Sequence, residues 1–153
     1  MSSEGIGSKV VCQVAFVVKD IEASARAFAD VFGLPVPEPT ETGVPAETNT
    51  VYRGRPTEGR AKLAFFNMGQ VSLELIEPIG GPSTWAEHLE AHGEGIHHIA
   101  FHVEGMDHVL AYLEGKGLPT VQRGDYPGGR YGYVDGASKL HCVLELLEDM
   151  PTG

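Results

Sequence analysis

Basic residues are scarce in this chain: 11 lysines and arginines stand against 21 aspartates and glutamates, a formal net charge of −10 over 153 residues. A nucleic-acid partner calls for a basic face, so this balance argues against DNA or RNA. No apolar run approaches the roughly 18 residues that would span a bilayer, so no membrane partner is expected. The opening Met-Ser-Ser-Glu-Gly is too short and polar for a secretion signal, which points to the cytoplasm. Cysteine is sparse too. Cys12 and Cys142 lie far apart, without CxxC spacing, each in an apolar run. They read as reduced, buried thiols rather than a disulfide, and neither has a base nearby in sequence to make it a nucleophile. What positive charge there is gathers at Arg53, Arg55, Arg60 and Lys62. That cluster fits a solvated strand edge, or a clamp for a phosphate or carboxylate.

Against these absences stands an internal duplication. Gln13-Val-Ala-Phe-Val-Val18 is matched by His98-Ile-Ala-Phe-His-Val103, and each run precedes a helical pattern that ends in Gly-Leu-Pro, at 33–35 and 117–119. Leu73-Glu74-Leu75-Ile76-Glu77 is echoed by Leu144-Glu145-Leu146-Leu147-Glu148. Order and content repeat together.

Periodicity supplies the elements. Val10 to Val18 is short and rich in β-branched residues, hence a strand. Asp20 is placed to cap a helix whose apolar positions Ile21, Ala25, Phe28, Ala29 and Phe32 recur at helical spacing, and Gly33 closes it. The prolines at 35, 37, 39 and 45 predict a loop. Strands follow at 48–52, 62–67 and 71–77, then a helix over 83–92 with Ser83 as its cap. The second half repeats the scheme: a strand over 96–103, a helix over 106–116, and strands near 120–123, 131–134 and 140–147. Two βαβββ modules, 10–78 and 95–149, are predicted within one α+β domain spanning 1–153. Packed side by side, they form a curved mixed sheet around a cleft, with helices outside.

The repeat places its polar residues at equivalent points. Gln13 and His98 open the first strand of each module; Glu74 and Glu145 lie in the last. Strand alternation puts Gln13, Ala15 and Val17 on one face and His98, Ala100 and His102 on another such face, so His97 should point away. A carboxylate flanked by leucines in a core strand is costly to desolvate unless a cation meets it. Gln13, Glu74, His98 and Glu145 are therefore the expected ligands of one divalent ion. Three oxygens and one imidazole suit Zn, Co, Ni, Mn or Mg. His102 and His141 are candidates to line the cleft by parity, Arg130 and Tyr131 to form a flap after Pro127-Gly128-Gly129. Glu77 and Glu148 fall on the opposite face and read as solvated strand ends.

The runs Gln13-Val14-Ala15-Phe16 and Gly95-Ile96-His97-His98-Ile99-Ala100-Phe101, with the two Leu-Glu-Leu strands, resemble the vicinal-oxygen-chelate superfamily over nearly the whole chain. The segment around Leu75-Ile76-Glu77-Pro78 and Gly93 to Phe101 is most similar to methylmalonyl-CoA epimerases. Those usually carry His where this chain has Gln13. The order Gln, Glu, His, Glu resembles the ligand set of animal glyoxalase I. The resemblance implies a homodimeric enzyme in which Glu145, with Glu74, moves a proton beside a carbonyl in an epimerase or isomerase reaction. A CoA thioester, keto sugar or thiol adduct is the implied small-molecule substrate. Two alternatives accompany it: a glyoxalase I-type lyase, and a non-catalytic binding or resistance protein of the same fold.

Overall fold

The computed structural model describes residues 5–150; the polar start Met1 to Glu4, on which the absence of a signal was partly read, and the last three residues lie outside them. Strand β1 (Gln13–Val17) leads into helix α1 (Ile21–Phe32). The short pieces β2 (Thr40–Glu41), α2 (Pro45–Thr48), β3 (Val51–Tyr52) and β4 (Arg55–Pro56) precede the long strands β5 (Arg60–Asn67) and β6 (Ser72–Ile79). Helix α3 (Thr84–His92) joins the halves. The second half runs β7 (Gly95–His102), α4 (Met106–Gly115), β8 (Thr120–Tyr126), β9 (Gly129–Val134), α5 (Ala137–Leu140) and β10 (Val143–Asp149).

Among the described residues ten strands join one mixed sheet in the order β2-β5-β6-β1-β7-β10-β9-β8-β3-β4. Its centre carries the duplication: β1 and β7 pair antiparallel, and each is flanked on its other side by the parallel last strand of its own half, β6 or β10. Side chains on one face of these four strands consequently converge on the midline. Local signals hold where expected. Asp20 Oδ1 accepts a hydrogen bond from Ala23 N (3.1 Å) at the head of α1, and Gly33 ends that helix in the left-handed region at φ 67°. Ser83 Oγ accepts from Ala86 N at the start of α3.

Two stretches depart from the sequence pattern. Residues 48–52 do not extend the first half's sheet. Pro45 starts a helical turn there, and the hairpin β3–β4 crosses over to pair with β8 at the far edge, turning on Arg53 (φ 49°) and Gly54 (φ 81°). Residues 137–140 are helical rather than extended, so the final strand begins only at Val143.

The apolar faces divide the core into layers. Ile21, Ala25 and Ala29 of α1 pack on Ala64, Phe66 and Leu75, while Met106, Val109, Leu110 and Leu113 of α4 pack on Val134, Leu144 and Leu146. Each large side chain so buried contributes about 1.5–3 kcal/mol. Helix α3 behaves differently. Its Trp85 joins Ala15, Val17, Ala61, Ile76 and Tyr133, on the opposite, concave side of the sheet. Helices lie outside for α1 and α4, but α3 lines the hollow.

Glu77 and Glu148 are not simple solvated strand ends. Glu77 Oε1 accepts from Ile21 N at the start of α1 (3.0 Å), and Glu148 Oε2 accepts from Gly105 N (2.5 Å) and Met106 N (3.1 Å) at the start of α4. Each half thus ties its last strand to the N-terminus of its own outer helix, where free N–H groups and the helix dipole favour a carboxylate.

Candidate metal centre

Register explains why the four polar residues meet. Gln13 stands opposite Ala100, Ala15 opposite both Glu74 and His98, and Glu145 opposite Ala100. The alanines at the midline are small and fully buried, so nothing separates the longer side chains above them. His98 Nε2 lies 2.9 Å from Gln13 Oε1, 3.2 Å from Glu145 Oε1 and 3.6 Å from Glu74 Oε1. All four come from one chain, and His98, Glu74 and Glu145 are buried.

Two carboxylates side by side without a cationic partner are unfavourable. Burial, and then the charge of Glu145, holds Glu74's carboxyl well above its ordinary acidity range. The Gln13 amide sharpens the point. With its oxygen toward the cluster it faces only other acceptors; reversed, its NH2 would donate to His98 Nε2 (2.9 Å), Glu145 Oε1 (3.0 Å) and Glu74 Oε1 (3.3 Å). Four lone pairs aimed at each other are relieved by a cation, or else by that reversal. The spacings match a ligand shell, whose neighbouring donors stand about 3 Å apart at bonds of about 2.1 Å. Counting only His, Cys, Asp and Glu, no three among the described residues form a ready cage. An ion here would need the Gln13 oxygen and a small inward turn of the carboxylates. With that adjustment the donor set fits a hard or borderline divalent cation.

The polar cluster floors a cavity of about 770 Å³, within the range of small-molecule sites. Tyr131 lines it from within strand β9, not from the flap expected after Pro127-Gly128-Gly129, and its hydroxyl accepts a hydrogen bond from Gln122 Nε2 (2.9 Å). Tyr133, Trp85, Phe65 and Tyr126 also line it and were missed. Tyr133 lies directly opposite Glu145 in the ladder, and its hydroxyl accepts from Trp85 Nε1 (2.9 Å). Burial, with Glu145 and Glu74, pushes the Tyr133 phenol far up, and burial pushes Tyr126 up to about 12. The alternation Tyr131-Gly132-Tyr133 was the signal available for Tyr133; Trp85 had none, because α3 turns inward.

Three proposed lining residues lie elsewhere. His102 sits at the end of β7, 57% exposed and 4.0 Å from Asp149, in a separate depression beside Ile6 to Ser8. Its ladder partner Leu147 lines the cavity, but His102 ends β7 and its ring lies toward Asp149 instead. His141 is exposed at the end of α5 with φ 67°; the chain is not extended there, so parity with Glu145 does not apply. Arg130 points to the other face of β9, where its guanidinium donates to Glu148 Oε1 (2.6 and 2.9 Å) and lies 3.6 Å from Asp107.

His97 departs from parity in the opposite direction. The β1–β7 register shifts between Ala15 and Phe16, which pair with His98 and Ile96, leaving His97 as the extra residue of a bulge. Both histidines are fully buried, with Nδ1 atoms 2.8 Å apart. The basic residues of 53–62 do not form a clamp. Arg53 pairs with Glu87 (2.7 Å), Arg60 with Glu41 (3.3 Å) and Lys62 with Glu77 (3.6 Å). Cys12 and Cys142 are free and half-buried, and burial raises both thiols.

A duplicated sheet around one polar midline is a recognisable plan, and the profile of the glyoxalase/bleomycin resistance protein/dioxygenase superfamily matches residues 12–134. The chain belongs to that superfamily. Among solved structures, this superfamily member is similar to methylmalonyl-CoA epimerase from Mycobacterium tuberculosis, at 19% identity and a TM-score of 0.64, covering 99% of this chain and 94% of that one. It is similar also to the Streptomyces coelicolor methylmalonyl-CoA epimerase in complex with 2-nitronate-propionyl-CoA, at 20% identity, TM-score 0.61, and 92% and 97% coverage. A methylmalonyl-CoA epimerase in complex with methylmalonyl-CoA and NH4+ aligns at 21% identity, TM-score 0.61, and 91% and 93% coverage. No curated protein sequence matches significantly. At these identities the likeness shows a shared fold. Among the described residues, no helix is long and apolar enough to cross a membrane.

Proposed function

We propose that this protein is a metal-dependent isomerase or epimerase that moves a proton on the carbon beside a carbonyl. The observation that carries this reading is the pair of buried carboxylates, Glu74 and Glu145, set on equivalent strands on either side of His98 and Gln13. Gln13, Glu74, His98 and Glu145 would hold the ion. A divalent cation there would supply a Lewis acid that stabilises negative charge developing on a substrate oxygen.

The chain's own residues would do the rest. Glu145 would take the proton from one face of the carbon beside the carbonyl, and Glu74, approaching from the other half and carrying a proton of its own, would supply that second proton to the opposite face. Proton removal on one face and delivery on the other is what inversion at carbon requires. The similar epimerase structures support this choice among the reactions of the superfamily.

Solvent deuterium uptake tests it. The metal-loaded protein is incubated in D2O with a panel of α-acidic thioesters, keto sugars and hemithioacetals. Deuterium appearing at the carbon beside the carbonyl, without net conversion of a racemic substrate, is the expected result. No uptake from any substrate with any of the candidate metals would overturn the reading.

A further inference from the structure

The walls of the cavity differ sharply from its floor. Above Gln13, Glu74 and Glu145 rise Leu63, Phe65, Trp85, Tyr131 and Leu147, which leave a mostly apolar surface. Phe65 is 45% exposed, a large hydrophobic side chain facing the hollow with nothing packed over it, and Tyr126 is exposed at the rim. Such surface inside a concave site is where a ligand's apolar body gains most from leaving water.

The mouth is acidic. Glu41, Glu47 and Asp125 border it, and among the described residues no lysine or arginine lines the cavity. Arg60 is committed: its guanidinium donates to the Thr42 carbonyl (2.7 Å) and lies 3.3 Å from Glu41. Asp125 receives a single neutral partner, Asn49 Nδ2 at 3.1 Å. Arg53 and Lys62 are held by Glu87 and Glu77. A phosphate-bearing tail would leave this cavity past three exposed carboxylates, of which only Glu41 has a cationic partner, and at low ionic strength like charges repel.

We infer that the substrate is an uncharged, apolar carbonyl compound, its oxygens at the Glu74–Glu145 floor and its body along Phe65, Trp85 and Tyr131, and that the acidic mouth rejects polyanionic thioesters. This rests on the proton-transfer reading and narrows its substrate class. The similar structures that hold CoA thioesters share the fold, whereas the mouth of this chain selects against such a tail.

Trp85 is the single tryptophan of the chain and lies in the cavity wall, so its fluorescence reports occupancy directly. The probes are 1-phenyl-1,2-propanedione, its para-sulfonate and methylmalonyl-CoA, titrated into the metal-loaded protein at low salt. The neutral dione should quench Trp85 saturably and half-saturate at a concentration at least about tenfold below that of the sulfonate. That gap should close in the Glu47→Gln/Asp125→Asn double variant, and also for the unaltered protein in about 0.5 M NaCl, where the mouth's field is screened. If the variant does not fold, the salt titration decides alone. Binding of the sulfonate or of methylmalonyl-CoA as tight as that of the neutral dione would overturn the inference, as would no quenching by the dione. The proton-transfer reading fails separately, through absence of deuterium uptake, because the fluorescence titration needs no turnover.

Discussion

The Nδ1 atoms of His97 and His98 lie 2.8 Å apart in the buried centre of the sheet. Two such nitrogens can bond only if one carries the proton. Burial, then His98 and His88, holds the His97 imidazole well below its ordinary basicity, so it is neutral. If His98 donates through Nδ1–H, its Nε2 keeps a lone pair directed at Gln13, Glu74 and Glu145. His97 is then a positioning residue that sets the tautomer of a metal ligand. His97→Ala should weaken metal binding about 10–100-fold in a chelator competition. His97→Gln, whose amide oxygen can still accept that proton, should recover much of the loss. Equal affinity in wild type and His97→Ala would show that the contact is only packing.

Glu145→Gln should reduce turnover about 10²–10⁴-fold, because the amide cannot accept a proton at neutral pH. Folding stability of the metal-free protein should not fall, since shape and burial are kept and a buried charge beside Glu74 is removed. Parallel losses of activity and stability in urea melts would mark Glu145 as structural.

The metal-free protein should lose stability as pH rises. Glu74 binds its proton more tightly folded than unfolded, since burial and Glu145 raise its acidity range above 4.5. The stability tied to that proton is whole below the ordinary carboxylate range and drains as pH climbs through the raised value. Chelator-treated Glu74→Gln should therefore be more stable than chelator-treated wild type at pH 8, by about 1–3 kcal/mol. Added divalent metal should reverse that order, because the cation favours the ionised carboxylate. A gap that does not vary with pH would rule out Glu74 titration as its source.

Removing the strand-to-helix caps should act on stability alone. Glu77→Ala should cost about 1 kcal/mol. Glu148→Ala should cost more, because Glu148 also holds Arg130 at 2.6 Å. Denaturant melts read the loss, and kcat should be unchanged in both.

Gly124 stands opposite Tyr131 in the β8–β9 ladder, beneath the ring that lines the cavity. A methyl group there would sit 2.7–2.9 Å from the ring and hydroxyl of Tyr131. Gly124→Ala should push that ring toward the hollow, shift Trp85 emission and raise KM more than it lowers kcat. Unaltered Trp85 emission with normal KM would mean that Tyr131 is displaced elsewhere.

The duplication carried much of this molecule in plain view. Repeated order and alternating apolar positions are properties of the chain itself, so the paired halves, the helices α1 and α4 and the polar positions of Gln13, His98, Glu74 and Glu145 could be read without coordinates. Other features arise only when strands pair. The bulge that turns His97 inward depends on the register of β7 against β1, which alternation along one strand does not contain. The migration of β3–β4 to the far edge, the inward turn of Trp85 on α3 and the exclusion of His141 from the final strand are likewise decisions of packing. The acidic mouth belongs with them. Asp125 is distant in sequence from Glu41 and Glu47, and only the curvature of the sheet brings it to the opening that those two border.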